Sequence, residues 1–352
     1  MSGKKWAVEA WGGPANLKLL SFPLPTADTL GATDVLVRIL ATTATYTDQL
    51  TLKGNYNPCP PLPCTPGYDL IGDIVAVGSA VQSLAVGDRV AGMPRHGGAA
   101  THIVLPQEWA VKVRADVPPG DAVSVVLTGV TAYQMLHRSG GTARLSPTSR
   151  LLIHACGGGT GAMLVELAKL AGVPADRIFG TCSAKSMGVA RDLGICAFDY
   201  NQKDWSTQVL AATKGEGVDL VLDPVFLGRY WTDGLACLRS GGKYIAYGVT
   251  NSADPGSLPL ATVICSFMRL GFQNSFWSHC DGKSAEFFNV ADERDRHPDW
   301  FAQDLRTLMD LVANGTLHPV VGRVWQFTET QQALTAIQTN THTGKQIILV
   351  DV

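Results

Sequence analysis

A glycine cluster between an apolar segment and an amphipathic one is the part of the chain best suited to bind a ligand. Apolar residues precede it at 151–153 and follow it at helical spacing over 163–171. The cluster consists of Gly157, Gly158, Gly159, Thr160 and Gly161. A strand that turns tightly into a helix presents backbone N–H groups, which bind pyrophosphate. In the pattern G-x-G-x-x-G, Gly158 and Gly161 are the second and third glycines, and Cys156 replaces the first. The pattern predicts a dinucleotide site, with a ligand-free turn as the alternative.

The end of the next predicted strand indicates which dinucleotide binds. In NAD-binding proteins of this kind a carboxylate there binds the ribose 2′-hydroxyl and would repel a 2′-phosphate. Residues 180–185 contain no Asp or Glu but include Ser183 and Lys185. A serine hydroxyl can donate to a phosphate, and a lysine adds positive charge. The segment favours NADPH. Alternatively Lys185 is a solvated residue at a helix start, where a cation without an anion beside it is unfavourable.

Hydroxyl groups in the N-terminal part are candidates for catalysis of hydride transfer. Negative charge builds up on a carbonyl oxygen as hydride reaches its substrate, and a positioned donor stabilises that charge. Tyr46 and Tyr68 are the best local donors, and Thr45 and Thr131 could add hydroxyl contacts. Each tyrosine could instead be a core residue whose hydroxyl binds a backbone carbonyl.

These residues belong to two differently patterned regions, which together predict an α/β fold. Residues 1–124 contain many short strand-like segments broken by Gly and Pro, typical of a mostly antiparallel, barrel-like domain. Residues 125–275 alternate apolar strands with helices, which predicts a doubly wound parallel sheet with its ligand at the carboxyl ends of the strands. Residues 276–352, which include a predicted helix over 298–314 and a final strand, are expected to complete the first domain.

Two further expectations concern the end of the second region. The segment LGFQNSF, residues 270–276, is expected to form its last strand, after helices over 186–193 and 229–238. The charged and aromatic segment 275–299 is expected to be a loop or partly ordered flap, either a solvated connection or a substrate lid. His154, just before the glycines, is expected to be packed within its strand.

Composition restricts the class of function. The 352 residues are 46% apolar and 16% charged, with a net charge of −2. The charged share is below the ~25% typical of globular domains, which allows large cores. The net charge gives no attraction for nucleic acid or an anionic membrane, so we expect a small-molecule substrate. No spanning segment or signal peptide is recognisable, and the scattered cysteines suit reduced thiols in a cytoplasmic protein.

Nine loosely matching segments become specific through their order. They are PGYDLIGDIVAVGSAV, VGDRVAGM, LTGVTAYQML, the glycine cluster, GTCSAKSMGVARDLG, FDYN, GVDLVLDPV, LRSGGKYIAYG and TGKQIILV. In this order the chain resembles the zinc-independent medium-chain dehydrogenases/reductases, in the quinone oxidoreductase (zeta-crystallin-like) and enoyl reductase branch. The resemblance implies a GroES-like catalytic domain and a Rossmann domain, with NADPH in the cleft between them. It also implies a homodimer.

The same resemblance implies roles for individual residues. Gly158 and Gly161 would meet the pyrophosphate, and Ser183, Lys185 and Tyr200 would hold the 2′-phosphate. Thr131 would lie near the nicotinamide, and Lys345 near the far end of the cleft. The strand ends beside the ribose and nicotinamide would be formed by Asp223, Pro224, Val225, Tyr247, Gly248 and Val249.

The zinc-dependent relatives need a Cys, a His-Glu pair and a further Cys or Glu around the metal. At the matching positions this chain has Tyr46 and Tyr68-Asp69. Zinc prefers thiolate and imidazole ligands, so we expect no catalytic metal. Polarising an alcohol for oxidation is then difficult, whereas hydride delivery to an activated acceptor is feasible.

The predicted activity is NADPH-dependent hydride transfer, without metal, to the C=C bond of an α,β-unsaturated carbonyl compound or to a quinone. Thr45 stands where quinone oxidoreductases usually have asparagine, and Leu50 where several have tyrosine. Both family residues lie near the nicotinamide, so these departures bear on the choice of quinone as substrate. The alternatives are a metal-free carbonyl reductase and an NADPH-binding protein without catalysis.

Overall fold

The computed structural model describes residues 2–139, 145–250, 261, 263–271, 281–341 and 343–351. These residues divide into two compact units. The first unit comprises the described residues up to Val130 and from Ala291 onward, and the second those from Thr131 to Val290. The domain boundaries expected after residues 124 and 275 lie earlier in the chain than these unit boundaries, which follow Val130 and Val290. The described residues of 276–290 therefore fall in the second unit.

Strands and helices are numbered along the whole chain. The strands are β1 (Ser2–Val8), β2 (Leu17–Pro23), β3 (Asp34–Ala44), β4 (Leu70–Val77), β5 (Arg89–Gly92), β6 (His102–Pro106), β7 (Ala110–Lys112), β8 (Leu151–His154), β9 (Ile178–Cys182), β10 (Cys196–Asp199), β11 (Val218–Asp223), β12 (Leu238–Ala246), β13 (Ser284–Phe287), β14 (Val321–Gln326) and β15 (Lys345–Leu349). The helices are α1 (Tyr46–Leu52), α2 (Pro119–His137), α3 (Gly159–Leu170), α4 (Met187–Asp192), α5 (Trp205–Ala212), α6 (Arg229–Cys237), α7 (263–271), α8 (Val290–Arg296), α9 (Pro298–Ala313) and α10 (Thr330–Gln338). In the described part of the chain, no helix has the length and apolarity needed to cross a membrane.

The first unit is mainly antiparallel. One sheet has the order β14-β15-β3-β4-β5-β7, with β6 also paired to β3, and β1 and β2 form a second sheet. Among the described strand pairs of this unit, β14 and β15 alone are parallel. Val35, Val37 and Ile39 alternate along β3 and are buried in one apolar core, because alternate strand residues share a face. The predicted antiparallel domain is confirmed.

The second unit contains a parallel sheet of six described strands. Their order is β10-β9-β8-β11-β12-β13. Counted from β8 as the first strand, this is the order of a Rossmann sheet. All four residues of β8, including His154, are buried, as expected for a parallel strand covered on both faces. The predicted doubly wound sheet and the packing of His154 are confirmed.

The strand expected at residues 270–276 is wrong where the structure describes it. Residues 270 and 271 belong to α7, and 272–276 lie outside the described residues. Phe267 and Leu270 both pack on the core of the second unit, and their three-residue spacing is that of one helix face. The sixth strand is β13, which pairs with residues 243–246 of β12.

The loop or flap expected over residues 275–299 is also wrong for its described part. Residues 281–299 include β13, α8 and the first two residues of α9. Arg294 of α8 is buried, donates to the carbonyl oxygen of Met93, and lies 4.3 Å from the centre of the Trp109 ring. Asp295 accepts from Arg294 at 2.8 Å and from Arg95 at 2.6 Å. The charges of this segment therefore hold a helix in place and do not mark a solvated loop.

Candidate active site

The glycine turn joins β8 to α3. The helix begins at Gly159 with Gly158 as its N-cap, so no capping side chain binds its first N–H groups. A Cβ on Gly161 would lie 2.2 Å from the carbonyl oxygen of Ala155, a separation that no side chain tolerates. Thr160, which stands between Gly159 and Gly161 in the same first turn, is half-buried. The turn is thus a surface of backbone donors at a helix N-terminus, the environment that attracts a phosphate.

Ser183, Lys185 and Tyr200 lie after the ends of β9 and β10, two adjacent parallel strands. The hydroxyl oxygens of Ser183 and Ser186 are 3.4 Å apart. Lys185 is exposed and forms no ion pair with another described residue. The N–H of Tyr200 donates to the last carbonyl of β9 at 3.2 Å. These three predicted phosphate ligands are therefore brought to one edge of the sheet.

The glycine turn and the end of β9 are in direct contact. A Cβ on Gly157 would lie 2.5 Å from Cβ of Ser186. The acidic residue at the end of β10, Asp199, accepts from the N–H and the side-chain amide of Asn201, each at 2.9 Å. The edge thus combines a helix N-terminus, two serine hydroxyls and a lysine, which together fit a dinucleotide with a 2′-phosphate.

Asp223 supports the loop at the end of β11. Its side chain is fully buried and accepts from the N–H groups of Val225 at 2.7 Å and Phe226 at 3.0 Å, and from the hydroxyl of Tyr244. These three donors fix the Pro224–Val225 backbone. A contact of Asp223 with a ribose stays a prediction.

The end of β12 is attached to that same loop. The N–H of Tyr247 donates to the last carbonyl of β11 at 2.9 Å, and the hydroxyl of Thr250 donates to the carbonyl oxygen of Pro224 at 2.8 Å. A Cβ on Gly248 would lie 2.7 Å from that oxygen. Val249 packs against the core of the unit. The two predicted loops are therefore held together at the carboxyl edge.

In the first unit, Thr45 and Tyr46 lie at the start of α1. The Thr45 hydroxyl donates to the Asp48 carboxylate at 2.8 Å, and the N–H of Asp48 approaches the same hydroxyl oxygen at 3.3 Å. Thr45 therefore caps the helix. Tyr46 is the first helical residue and is half-buried. Its role as a donor stays a prediction.

Asp48 is a buried carboxylate with an altered affinity for protons. It accepts from the N–H of Gly67 at 2.7 Å and from both the N–H and hydroxyl of Thr45, each at 2.8 Å. Burial outweighs these hydrogen bonds and raises the pKa of Asp48 to about 6, with a further contribution from the nearby Asp69.

Tyr68 is paired with Tyr56, a residue that the sequence did not single out. Their hydroxyl oxygens are 2.9 Å apart, and their rings meet edge to face at 5.9 Å. Tyr68 is buried and Tyr56 half-buried. No other described residue accepts a hydrogen bond from Tyr68. Its proton would lack an acceptor unless it pointed at Tyr56, and a buried donor without an acceptor is costly. Tyr68 therefore donates to Tyr56, and the proton of Tyr56 remains available to a ligand.

Lys345 forms a buried ion pair with Asp69. Their side-chain exposures are 5% and 0%, and Nζ lies 3.6 Å from Oδ2. Asp69 also accepts from the Thr43 hydroxyl at 2.5 Å and the N–H of Leu127 at 3.2 Å. The Lys345 ammonium has no hydrogen-bond partner among the described residues. Lys345 thus neutralises Asp69, and its predicted contact with the cofactor is untested.

The positions that carry zinc ligands in zinc-dependent relatives do not fit a zinc ion. The Tyr68 hydroxyl is bonded to Tyr56, and the Asp69 carboxylate is occupied by Thr43, Leu127 and Lys345. In the residues that the structure describes, no group of three or more His, Cys, Asp or Glu side chains could hold a metal ion. The Tyr68 and Asp69 side chains therefore serve in hydrogen bonds and a buried ion pair.

Within each unit the predicted residues converge. In the second unit the glycine turn, the phosphate ligands and the loops after β11 and β12 lie along the carboxyl edge of one sheet. In the first unit Asp48 binds both Thr45 and Gly67, the residue before Tyr68, so Thr45 and Tyr68 lie near the buried carboxylates of Asp48 and Asp69. Thr131, in α2, is buried at 7% exposure, and its predicted contact is untested.

Comparisons with known proteins agree with this geometry. The family model described as "Alcohol dehydrogenase GroES-like domain" matches residues 31–115, and that described as "Zinc-binding dehydrogenase" matches residues 193–348. The structure of the CurK enoyl reductase is 25% identical, with a TM-score of 0.80 and 99% of each chain covered. The chain belongs to the medium-chain dehydrogenases/reductases. Within this family it falls in the quinone oxidoreductase and enoyl reductase branch, among the oxidoreductases.

Two further relatives show the range of the branch. The quinone oxidoreductase of Escherichia coli, solved in complex with NADPH, has the same fold, with a TM-score of 0.82, 21% identity, and 99% of this chain and 100% of that chain covered. The human synaptic vesicle membrane protein VAT-1 homolog-like is 26% identical over 346 residues, which are 98% of this chain and 80% of that protein. The GroES-like and Rossmann architecture predicted from the sequence is confirmed.

Proposed function

We propose that this protein is an NADPH-dependent reductase that transfers a hydride to the C=C bond of an α,β-unsaturated carbonyl compound or to a quinone. The observation that carries the proposal is the end of β9, where Ser183, Ser186 and Lys185 stand beside the open N-terminus of α3. A carboxylate at the end of β9 would favour NAD, and none is present there.

The second unit would hold the nucleotide through its own residues. Backbone N–H groups from Gly159 to Gly161 bind the pyrophosphate, and Ser183, Lys185 and Tyr200 bind the 2′-phosphate. The buried Asp223 keeps the loop after β11 in position. When bound, NADPH supplies the hydride from C4 of its nicotinamide.

The first unit offers donors for the substrate oxygen. The proton of Tyr56 is directed away from Tyr68, and the hydrogen bond that Tyr56 accepts strengthens it as a donor. We assign to Tyr56 the stabilisation of the enolate oxygen and to Tyr68 the positioning of Tyr56. Tyr46 is the second candidate donor, because Thr45 is engaged as a helix cap.

Product analysis with a panel of enones, quinones and aldehydes tests the activity. Saturation of the C=C bond, or formation of a hydroquinone, with equimolar oxidation of NADPH supports the proposal. Formation of an alcohol from an aldehyde or ketone would instead make the protein a carbonyl reductase. Tight NADPH binding without turnover would make it a binding protein, and failure to bind NADPH would overturn the cofactor assignment. Sedimentation would check the expected homodimer.

A further inference from the structure

Two cysteines face each other beneath the nucleotide-binding turn. Cys156 lies in the turn directly after β8, and its N–H donates to the carbonyl oxygen of Thr181 at 3.1 Å. This bond holds Cys156 beside the end of β9, where Cys182 is the next residue. A Cβ on Gly180 would lie 2.5 Å from Sγ of Cys156. The Cys156 side chain therefore lies on the face of β9 that Gly180 shares with Cys182, two residues further on.

We propose that Cys156 and Cys182 form a reversible disulfide that weakens nucleotide binding, an inference that rests on the proposed NADPH site. A disulfide allows Cα separations of about 4.4–6.8 Å, a range open to this pair because the N–H of Cys156 is bonded to the carbonyl oxygen of the residue before Cys182. The Cβ atoms must approach to roughly 4 Å, so the two strand ends have to shift. A bridge that strains its surroundings is more easily reduced than a relaxed one.

The environment of the pair favours Cys182 as the nucleophile. The Cys156 thiol donates a hydrogen bond to the Cys182 sulfur, and this lowers the pKa of the Cys182 thiol. The same hydrogen bond raises the pKa of Cys156. Sγ of Cys182 also lies 3.3 Å from Sδ of Met187. Because the thiolate is the reactive form, Cys182 would react first and Cys156 would resolve the product.

With a hydroperoxide as oxidant the reaction balances in two steps. The Cys182 sulfur attacks the terminal peroxide oxygen, the O–O bond breaks, and the products are a sulfenic acid and an alcohol, or water from hydrogen peroxide. The Cys156 sulfur then attacks the sulfenic sulfur, the S–O bond breaks, and the hydroxyl leaves as water with the thiol proton. A dithiol reverses the change by thiol–disulfide exchange: the Cys156–Cys182 bond is reduced, the dithiol is oxidised to its own disulfide, and its two protons pass to the cysteine sulfurs.

Nucleotide binding is affected because each cysteine adjoins a binding segment. Cys156 precedes Gly157, and Cys182 precedes Ser183. Gly157 already has no room for a Cβ against Ser186, so a shift of Cys156 moves the turn and the phosphate ligands relative to each other. The thiols are only 0% and 2% exposed. Oxidation is therefore slow, and nucleotide bound over the turn slows it further.

The test treats the purified full chain with hydrogen peroxide and measures two independent quantities. Peptide mass spectrometry detects a Cys156–Cys182 crosslink, and calorimetry measures NADPH affinity before oxidation, after it, and after dithiothreitol. We expect the crosslink, a loss of roughly tenfold or more in affinity, recovery on reduction, and slower crosslinking when NADPH is present. Cys182→Ala should abolish the response, and Cys196→Ser, which removes an exposed cysteine of the same sheet, should keep it.

The outcomes separate this inference from the cofactor assignment. Reduced protein that binds NADPH but never forms the crosslink overturns the disulfide alone. A crosslink that leaves NADPH affinity unchanged overturns its regulatory effect. Reduced protein that does not bind NADPH overturns the proposed function, whatever the state of the thiols.

Discussion

Tyr56 and Tyr68 carry the same phenol group, and burial gives them different tasks. Tyr68 stands at a position that carries a zinc ligand in the zinc-dependent relatives, so the sequence directs attention to it. The buried Tyr68 donates its proton to the Tyr56 oxygen, and the half-buried Tyr56 keeps its own proton for a ligand. Tyr56 lies before a proline-rich loop with no local pattern that signals chemistry. Its role follows from a contact across 12 residues, which spacing alone does not reveal.

Substitution of these tyrosines distinguishes donor from support. We expect Tyr56→Phe to lower kcat by about 10²-fold, the usual share of a positioned donor, with NADPH affinity unchanged. Tyr68→Phe should lower kcat by a smaller factor. Burial raises the pKa of Tyr56, and the hydrogen bond from Tyr68 lowers it. Removing that bond should therefore move the alkaline limb of the kcat profile to higher pH. Rate–pH profiles check both. Full activity in Tyr56→Phe together with inactivity in Tyr46→Phe would transfer the role to Tyr46.

Lys185 decides between the two dinucleotides. The exposed ammonium at the end of β9 has no described anionic partner, so a 2′-phosphate would supply one. Lys185→Ala should weaken NADPH by roughly tenfold or more and leave NADH affinity unchanged. Titration with both coenzymes measures this, and Lys203→Ala, which removes an exposed charge nearby, is the matched control. Equal losses for NADPH and NADH would contradict the phosphate assignment.

Among the elements, those defined by local pattern could be predicted and those defined by partners could not. The strand before the glycine turn and α6 were predicted within about two residues. β8 is a continuous apolar run buried on both faces, and α6 has its buried residues at helical spacing. The last strand of the parallel sheet was misplaced. Residues 270–276 and β13 both contain aromatic residues, so composition does not distinguish them. Only the shared packing of Phe267 and Leu270 on the core shows that residues 270 and 271 belong to a helix. Charges on α8 were also misleading, since Arg294 is satisfied inside the fold.

The close packing at the start of α3 makes the turn intolerant of side chains. Gly161→Ala would place a methyl group 2.2 Å from the Ala155 oxygen, so we expect loss of NADPH binding and a lower melting temperature. Gly188→Ala is the control, because nothing lies within 4 Å of its Cβ in α4 and alanine favours a helix by up to about 1 kcal/mol. Thermal unfolding with and without NADPH compares the two. A Gly161→Ala variant that binds NADPH normally would refute the backbone cradle.

The start of α1 makes stability depend on pH. Burial raises the pKa of Asp48 from 3.8 to about 6, so the folded protein holds this proton more tightly than the unfolded chain. The contribution of Asp48 is therefore complete below pH 4 and is lost as pH rises through 6, on the order of 3 kcal/mol in total. Denaturant titrations at pH 4.5 and 7 should show about 2 kcal/mol of this loss, and Asp48→Asn should remove it. An unchanged difference in the variant would assign it to other groups.

At the scale of the whole molecule, the sequence could predict two differently built regions but not the pairing between distant segments. Asp69 directly precedes β4 and Lys345 is the first residue of β15, so the two are 276 positions apart in the sequence. The resemblance assigned Lys345 to a cofactor cleft. In the structure its ammonium faces a carboxylate with 0% exposure. Nothing in either local sequence indicates the other residue, so this ion pair could only be seen once the fold was known.

Breaking the ion pair tests its importance to the first unit. Lys345→Met would leave the Asp69 charge buried without compensation, and we expect a loss of about 3–5 kcal/mol in the free energy of unfolding. The double variant Lys345→Met/Asp69→Asn removes both charges and should recover much of that loss. Urea unfolding of the wild type, of Lys345→Met, of Asp69→Asn and of the double variant completes a double-mutant cycle. Additive effects of the two substitutions would show that the charges do not interact.

The pairing of β15 with residues 41–44 of β3 has a consequence for synthesis on the ribosome. The backbone N–H and C=O groups of residues 41–44 that pair with β15 have no partner strand until about three hundred further residues have been translated. The parallel sheet from β8 to β13 is complete in the nascent chain well before that. We therefore expect the second unit to fold before the first, although most of the first unit is synthesised earlier. The first unit should meanwhile depend on chaperones that cover exposed strand edges.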